Sequence, residues 1–139
     1  MSTVSLRRAD PDDHLAVVRL FDAAMLETDA DRLRRQLEAT AGFVLLATIE
    51  ERPVGAVAVD TEPAGVTQLV EGDPARITAI AVRPGRRGQG IGTELVAAVE
   101  SRQGRVVAEF DPTVRPFWES VGFEVTERPE SERLRGVRE

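Results

Sequence analysis

The sequence predicts an α/β fold in which a mixed central sheet of about six to seven strands is flanked by about four helices. Short apolar segments typical of strands alternate along the chain with segments that have the i, i+3, i+4 spacing of amphipathic helices. The 139 residues contain no repeat, linker or low-complexity tract; 42% are hydrophobic and 30% are charged. We therefore predict one globular domain that spans residues 1–139.

Seven segments are predicted to be strands. Residues 43–49 form a near-continuous apolar run, which indicates a buried strand. A turn at residues 50–53 leads into the returning strand, and the polar residues 60–74, with glycine and proline among them, are predicted to be a loop. The predicted strands are residues 3–8, 43–49, 54–59, 76–82, 105–110, 123–127 and 133–137.

Four helices are predicted from capping residues and apolar spacing. Asp10-Pro11 and Asp111-Pro112 each combine an N-cap side chain with a proline at the first helical position. The second helix covers residues 31–39. The apolar faces are Val17, Leu20, Phe21 and Ala24 in the first helix, Leu33 and Leu37 in the second, Ile91, Leu95, Ala98 and Val99 in the third, and Val114, Phe117, Trp118 and Val121 in the fourth.

The residue types that are missing exclude several kinds of chemistry. All 18 basic residues are arginine, and a chain without lysine cannot carry a Schiff-base lysine or a P-loop lysine. The absence of cysteine excludes thiol nucleophiles, disulfides and iron–sulfur clusters. The single histidine, His14, rules out a multi-histidine metal site, so we expect no bound metal and a structural or solvated His14. No tyrosine is present to donate a phenolic proton.

Charge and hydropathy indicate where the protein acts. The net charge of −6 argues against a nucleic-acid partner held by a general basic surface. The first residues lack the apolar core of a signal peptide, and no apolar run approaches 18 residues, so we expect no membrane partner. The absence of cysteine fits a reducing compartment, and we predict a cytoplasmic protein.

A glycine- and arginine-rich segment carries the strongest functional signal. The predicted strand that ends at Val82 runs into RPGRRGQGIGT, residues 83–93, which opens a helix. The first amides of a helix lack intrahelical partners and lie at the positive end of its dipole, and glycine lets the backbone approach a ligand closely. Arg86 and Arg87 add guanidinium groups that match phosphate oxygens. The pattern is typical of a turn that binds an anion, most often a phosphate.

Two common phosphate motifs do not fit this segment. A Walker loop needs Gly-Lys-Ser/Thr, which is absent. A dinucleotide fingerprint needs G-x-G-x-x-G, whereas Gly88, Gly90 and Gly92 form G-x-G-x-G. On the residues alone, a nucleotide-phosphate binder and a plain surface loop both remain open.

Two motifs resemble the GNAT superfamily of N-acetyltransferases. Arg87, Gly90 and Gly92 match its acyl-CoA signature Arg/Gln-x-x-Gly-x-Gly/Ala. The segment DPTVRPFWESVGF, residues 111–123, is similar to the later family segment N-x-x-A-x-x-F-Y-E-x-x-G-F. Asp111 stands where Asn is usual, and Trp118 stands where Tyr is usual. The order of helices and strands fits the family across almost the whole chain.

The resemblance implies a site for acetyl-CoA, without a metal, between two adjacent parallel strands that splay apart, here residues 76–82 and 105–110. The pantetheine arm would pair with the backbone of the first strand like an added strand, and the pyrophosphate would bind backbone amides of the turn. Core packing is the alternative role for Phe117 and Trp118, and N-capping alone is the alternative for Asp111. The implied cofactor-binding residues are Ile80, Ala81, Val82, Arg87, Gly88, Gln89, Gly90, Ile91, Gly92, Thr93, Asp111 and Phe117.

The implied reaction is acetyl transfer from acetyl-CoA to a primary amine that attacks directly. Glu71 and Asp73, just before the strand that would carry the acyl group, are the candidate catalytic carboxylates. Glu109 and ordered water are the alternatives for the general base. Trp118 cannot replace the tyrosine as an acid, because an indole N–H is not acidic at neutral pH. A non-catalytic acyl-CoA-binding module of the same fold remains the alternative function.

The acceptor implied by the resemblance is a small-molecule or protein amine, and a homodimer is a possible further partner. The family builds its acceptor groove from the loop between the first two helices and the loop between the last two strands. Acidic residues in both loops would favour a cationic amine, whereas arginines near the strands would favour an acceptor that carries a carboxylate. The acidic residues are Glu27, Asp29, Asp31, Glu130 and Glu132, and the arginines are Arg52, Arg76 and Arg115.

Overall fold

The computed structural model describes residues 3–24, 30–38, 42–61, 75–103, 105–127 and 134–138. Seven strands and four α-helices occur in these ranges, as predicted. The strands are β1 (Val4–Arg8), β2 (Gly42–Ile49), β3 (Arg52–Asp60), β4 (Ala75–Val82), β5 (Val106–Phe110), β6 (Glu124–Thr126) and β7 (Leu134–Arg138). The helices are α1 (His14–Ala23), α2 (Ala30–Leu37), α3 (Ile91–Gln103) and α4 (Arg115–Ser120).

All seven strands form one sheet in the order β1-β2-β3-β4-β5-β7-β6. Neighbouring strands are antiparallel except β4 and β5, which are parallel and are connected through α3. A parallel pair needs such a crossover, whereas the antiparallel pairs β2–β3 and β6–β7 need only a direct return of the chain. The prediction of a mixed α/β sheet with flanking helices is confirmed.

The sheet separates two hydrophobic clusters. One joins α3 and α4 to the sheet through residues such as Leu95 and Trp118, and the other joins α1 and α2 to it through residues such as Phe21 and Leu33. All eight residues of β2 are buried, which confirms the buried strand predicted from its apolar run. Burial on both faces explains why its sequence shows no alternation of polar and apolar residues.

The first helix begins with a 3-10 turn, Pro11–Asp13, and α1 follows from His14. The Asp10 carboxylate accepts the Asp12 amide at 2.8 Å. It also accepts the Asp13 amide, while the Asp13 carboxylate accepts the Asp10 amide at 2.9 Å, and these two bonds form a capping box. Both nitrogens at the end of the Arg7 guanidinium donate to Asp13 at 2.8 Å. These bonds lower the pKa of the Asp13 carboxyl and tie the edge strand β1 to the helix start.

The last helix departs from its prediction. Val114 lies in a 3-10 turn, Pro112–Val114, and is 45% exposed instead of belonging to the buried stripe. The helix begins only at Arg115, because Asp111 caps the turn and not the α-helix. None of the helices among the described residues is long and apolar enough to cross a membrane.

Candidate functional site

A gap opens between the two parallel strands. Three residue pairs join β4 to β5, the last of them between Ile77 and Ala108. Beyond this pair β4 continues to Val82 and β5 to Phe110, and no further pairing joins them in the described part of the chain. The two strands therefore splay, as the family resemblance implied.

A bulge in β4 accounts for the position of the gap. Ala58 on β3 pairs with Ala79, but the next residue, Val59, pairs with Ile77, so Thr78 is an extra residue on β4. A bulge of this kind bends its strand and increases its twist. The bend lies directly after the last residue that pairs with β5, and it turns the rest of β4 away from that strand.

The register of β3 and β4 determines which peptide groups face the gap. The Arg83 amide donates to the Val54 carbonyl oxygen at 2.7 Å, so these two residues are a hydrogen-bonded pair. Hydrogen-bonded and non-hydrogen-bonded pairs alternate along an antiparallel ladder. Val82 and Ile80 therefore turn their N–H and C=O groups away from β3 and into the gap. The peptide groups of Ala81 face β3, and its side chain is buried.

The Arg87 side chain independently marks the outward carbonyl of Val82. Its Nε–H donates to the Val82 carbonyl oxygen at 3.1 Å. This bond folds the turn back against the end of β4, and Arg87 remains exposed. Arg87 is thus placed between the strand end and the turn that follows it.

The turn after β4 leads into the N-terminus of α3. A 3-10 turn, Pro84–Arg86, is followed by Gly88 and Gly90, whose φ angles are +79° and +82°. L-residues with side chains rarely adopt these angles, so both positions require glycine. Within α3 the Glu94 amide donates to the Gly90 carbonyl at 3.0 Å, so the preceding amides of the first turn point outward at the positive end of the helix dipole.

Gly92 contributes close packing and not a special backbone angle. It lies inside α3 without a positive φ, but a Cβ there would stand 2.9 Å from Cε1 of Phe117. The family motif thus contains one glycine, Gly90, for its backbone angle and another, Gly92, for close packing of α3 against α4.

A second turn faces the same gap from the end of β5. Asp111 Oδ1 accepts the Thr113 amide at 2.9 Å, so Asp111 is a capping residue as predicted, but of the 3-10 turn and not of α4. Behind this turn the rings of Phe110 and Trp118 stack with centroids 5.1 Å apart, and Phe117 meets Trp118 edge-on at 5.2 Å. Trp118 is 4% exposed, so it is a core residue that also reaches the gap.

The gap belongs to a cavity of about 790 Å³, which is within the size range of ligand pockets. Of the predicted cofactor-binding residues, Gln89 is exposed and lies outside its lining. The others all line it: Ile80, Ala81, Val82, Arg87, Gly88, Gly90, Ile91, Gly92, Thr93, Asp111 and Phe117. Thr78, Thr113 and Val114 also line the cavity, although the sequence did not assign them to the site. The Asp111-Pro112 pattern predicted the turn that contains Thr113 and Val114, but no local pattern indicates Thr78.

Only some of the candidate catalytic and acceptor residues lie within the described ranges. Glu71 and Asp73 lie outside the described residues, as do Glu27, Asp29, Glu130 and Glu132. Glu109, half-buried on β5, directly follows the last residue paired with β4 and lines the cavity. Two of the others form ion pairs: Asp31 Oδ1 lies 3.5 Å from Nη2 of Arg34, and Arg115 Nε lies 3.4 Å from Oε1 of Glu119. Arg52 and Arg76 are exposed. No group of three or more histidine, aspartate or glutamate side chains in the described ranges could hold a metal ion.

Comparison with known proteins identifies the family. A family model described as an acetyltransferase (GNAT) domain matches residues 10–137. The chain belongs to the GNAT acetyltransferase family. This confirms the resemblance drawn from the two motifs. A search of curated proteins finds no match.

Solved structures share the GNAT fold at low sequence identity. Naa50 from Arabidopsis thaliana, in complex with the bisubstrate analogue CoA-Ac-MVNAL, is 21% identical with a TM-score of 0.73, over 96% of each chain. The GNAT domain of PAT from S. lividans is 21% identical with a TM-score of 0.74, over 98% of this chain and 90% of that one. N-acetylglutamate synthase from Neisseria gonorrhoeae, complexed with coenzyme A and L-arginine, is 18% identical with a TM-score of 0.76, over 99% of this chain and 33% of that one.

Proposed function

We propose that the protein transfers an acetyl group from acetyl-CoA to a primary amine. The observation that carries this proposal is the gap between β4 and β5, which presents the outward peptide groups of Ile80 and Val82 and ends at the N-terminus of α3. An extended arm with amides and a charged phosphate end fits this order of features. The motif match and the family support acetyl-CoA as the molecule that supplies the acetyl group, as a thioester.

The chain's own groups have distinct binding roles in this proposal. The N–H and C=O groups of Ile80 and Val82 pair with the amides of the pantetheine arm, as an added strand would. The amides from Gly88 to Thr93 hold the pyrophosphate, with Arg86 and Arg87 beside them. Asp111 and Phe117 complete the lining from the other side. The Val82 carbonyl becomes available to the arm when Arg87 turns toward the phosphates.

Catalysis requires a neutral amine at the open end of the gap. A protonated amine is no nucleophile, so a carboxylate or a water must accept its proton. We propose Glu71 and Asp73 for this role because they directly precede β4 in the sequence. Glu109 is the alternative, and its position in the cavity lining supports it. A backbone N–H of β4 facing the gap can donate to the carbonyl oxygen under attack. Trp118 supplies no proton, so either another group or water protonates the departing sulfur, or CoA leaves as the thiolate.

The acceptor is a small-molecule or protein amine in this proposal. Two relatives named above support amine acceptors of both kinds: Naa50, in complex with a CoA–peptide analogue, and N-acetylglutamate synthase, whose named product is an N-acetylated amino acid. A non-catalytic acyl-CoA-binding module is the second candidate, favoured by Trp118 at the usual tyrosine position. We also propose a single domain over residues 1–139, action in the cytoplasm without a nucleic-acid or membrane partner, and a homodimer as a possible assembly.

The binding part of the proposal is tested by ligand-dependent stability. Acetyl-CoA at 100 times its Kd should stabilise the fold by about 2.7 kcal/mol, because it binds the native state alone. The measurement is a thermal melt with acetyl-CoA, and the control is ATP at the same concentration. An equal shift with ATP would favour a nucleotide-phosphate binder, and the absence of a shift at millimolar acetyl-CoA would contradict the assignment.

The catalytic part is tested by thiol release over a panel of amines and by three variants, Glu71→Gln, Asp73→Asn and Glu109→Gln. Loss of the general base should lower kcat/KM by about a hundredfold or more while acetyl-CoA affinity is unchanged. Activity should partly return at high pH, where the amine is already neutral. Glu124→Gln, on the exposed face of β6, is the matched control. Tight acetyl-CoA binding without thiol release from any amine would favour the non-catalytic module.

A further inference from the structure

Gln36 is a polar residue on the buried face of α2, beside Leu33 and Leu37. It is 2% exposed, and the other buried polar side chain among the described residues is Thr48. A buried amide is costly unless its hydrogen-bonding groups are satisfied. A leucine would fill such a position without that cost, so the contacts of the Gln36 amide are informative.

Both N–H groups of the Gln36 amide are used across the sheet. Nε2 lies 2.9 Å from Asp60 Oδ1 on β3 and 3.0 Å from Thr78 Oγ1 on β4. An ionised carboxylate only accepts, which orients the amide with its nitrogen toward Asp60. The Thr78 hydroxyl in turn donates to the Ala58 carbonyl oxygen at 3.2 Å. Two hydrogen bonds from Gln36 and one from Thr78 therefore connect α2 with β3 and β4.

The connection ends on the bulge that opens the gap. Thr78 is the extra residue of β4 and lines the cavity. Arg32, one helical turn before Gln36, lies 3.5 Å from the second Asp60 oxygen, so α2 is attached to this corner of the sheet at two points. Ile80, whose peptide groups face the gap, follows the bulge by two residues. Rotation of the peptide planes at Thr78 would therefore redirect the peptide groups of Ile80.

We infer that Gln36 is a positioning residue for acetyl transfer. It holds the bulge at Thr78 in one conformation, and the bulge aims the peptide groups of Ile80 at the acyl end of the bound arm. This inference rests on the proposed function. The phosphate-binding turn follows the end of β4, which lies four residues after Thr78, about 13 Å along a strand. Gln36 should therefore affect kcat and leave the KM for acetyl-CoA almost unchanged.

The test compares variants that remove the bridge but keep the volume. Gln36→Met and Thr78→Val should each lower kcat between about tenfold and a hundredfold, the cost of a small misplacement at a reacting centre. The KM for acetyl-CoA should change less than about threefold. Thr78→Ser keeps the hydroxyl and should restore most of kcat. The double variant should be little worse than either single one, because both remove the same bridge.

Thr48→Val is the matched control. It removes a buried threonine hydroxyl beside another register shift, whereas Thr78 is half-buried. That shift joins β2 to β3, and neither strand lines the cavity in the described part of the chain. It should lower stability and leave kcat unchanged. The inference is overturned if Gln36→Met and Thr78→Val keep the parent kcat, or lower it no more than Thr48→Val does.

A binding measurement tests the inference separately if the proposed function fails. If the unaltered protein binds acetyl-CoA but acetylates no amine, the proposed function fails, and the inference is then judged on affinity. Acetyl-CoA and CoA differ only at the acyl end, so Gln36→Met should change the ratio of their Kd values while CoA affinity stays constant. An unchanged ratio would overturn the inference in that case.

Discussion

Two turns that border the same cavity begin alike and end differently. The chain leaves β4 through Pro84–Arg86 and leaves β5 through Pro112–Val114. Each is a 3-10 turn with proline at its start, and each leads into a helix. The local sequence patterns, a strand followed by X-Pro and a helix, are almost the same.

The difference lies in what satisfies the amides. After β5 the Asp111 carboxylate accepts the Thr113 amide, so the chain caps its own turn. After β4 the N-cap residue of the 3-10 turn, Arg83, makes no side-chain capping bond within the described residues. Gly88 and Gly90 instead adopt positive φ and present the α3 amides outward. From this difference we predict that affinity for the proposed ligand depends chiefly on the first turn, whereas the second turn mainly stabilises the fold.

The largest effect is expected from Gly90→Val. Valine at a φ of +82° is strained, and relief of that strain would move the amides that we propose hold the pyrophosphate. CoA affinity should fall by about a hundredfold or more, equivalent to about 2.7 kcal/mol, as measured by calorimetric titration. Gly85→Val is the control, because Gly85 has an ordinary φ and open space around its Cβ position among the described residues. Parent-like binding by Gly90→Val would show that this turn is not the phosphate site.

Arg87→Ala should have a smaller effect. Loss of one charge-assisted hydrogen bond costs roughly 1.5–3 kcal/mol, about ten- to a hundredfold in affinity. The affinity should be measured at two salt concentrations, since a phosphate contact weakens with ionic strength. Arg83→Ala, an exposed arginine of the same turn, is the control and should bind CoA like the parent. A loss that is independent of salt would assign Arg87 to the Val82 carbonyl alone.

Trp118→Phe should lower stability and keep most of the turnover. The smaller ring loses part of the stack on Phe110 and the edge contacts with Phe117 and Phe123, at a cost of about 1–2 kcal/mol. Denaturant unfolding measures the first effect, and thiol release measures the second. A collapse of turnover with normal CoA affinity would show that the indole N–H takes part in the reaction.

Asp111→Ala should show the smallest effect on the ligand. Loss of an N-cap costs about 1 kcal/mol of stability, and CoA affinity should fall by no more than about threefold, less than 1 kcal/mol. Asp111→Ser, which retains a capping oxygen, should recover the stability. A loss of affinity as large as that of Gly90→Val would remove the distinction between the two turns.

Features that depend on neighbouring residues in the chain could be predicted from the sequence. The buried run of β2, the caps at Asp10 and Asp111 and the glycine-rich start of α3 are encoded within a few residues each. Capping, burial and the need for a positive φ act locally, so the pattern of residue types is sufficient. The family motifs extended this local information to the parallel strands and their gap.

Features that depend on the pairing of distant segments required the folded chain. The bulge at Thr78 exists because β3 and β4 shift their register, and no residue type near Thr78 signals it. The close packing at Gly92 depends on Phe117, which lies 25 positions later in the chain. Gln36 looks like a solvated helix residue until Asp60 and Thr78 are brought to its amide. Contacts between distant segments are set by sheet register and helix packing, and these become defined only when the whole core assembles.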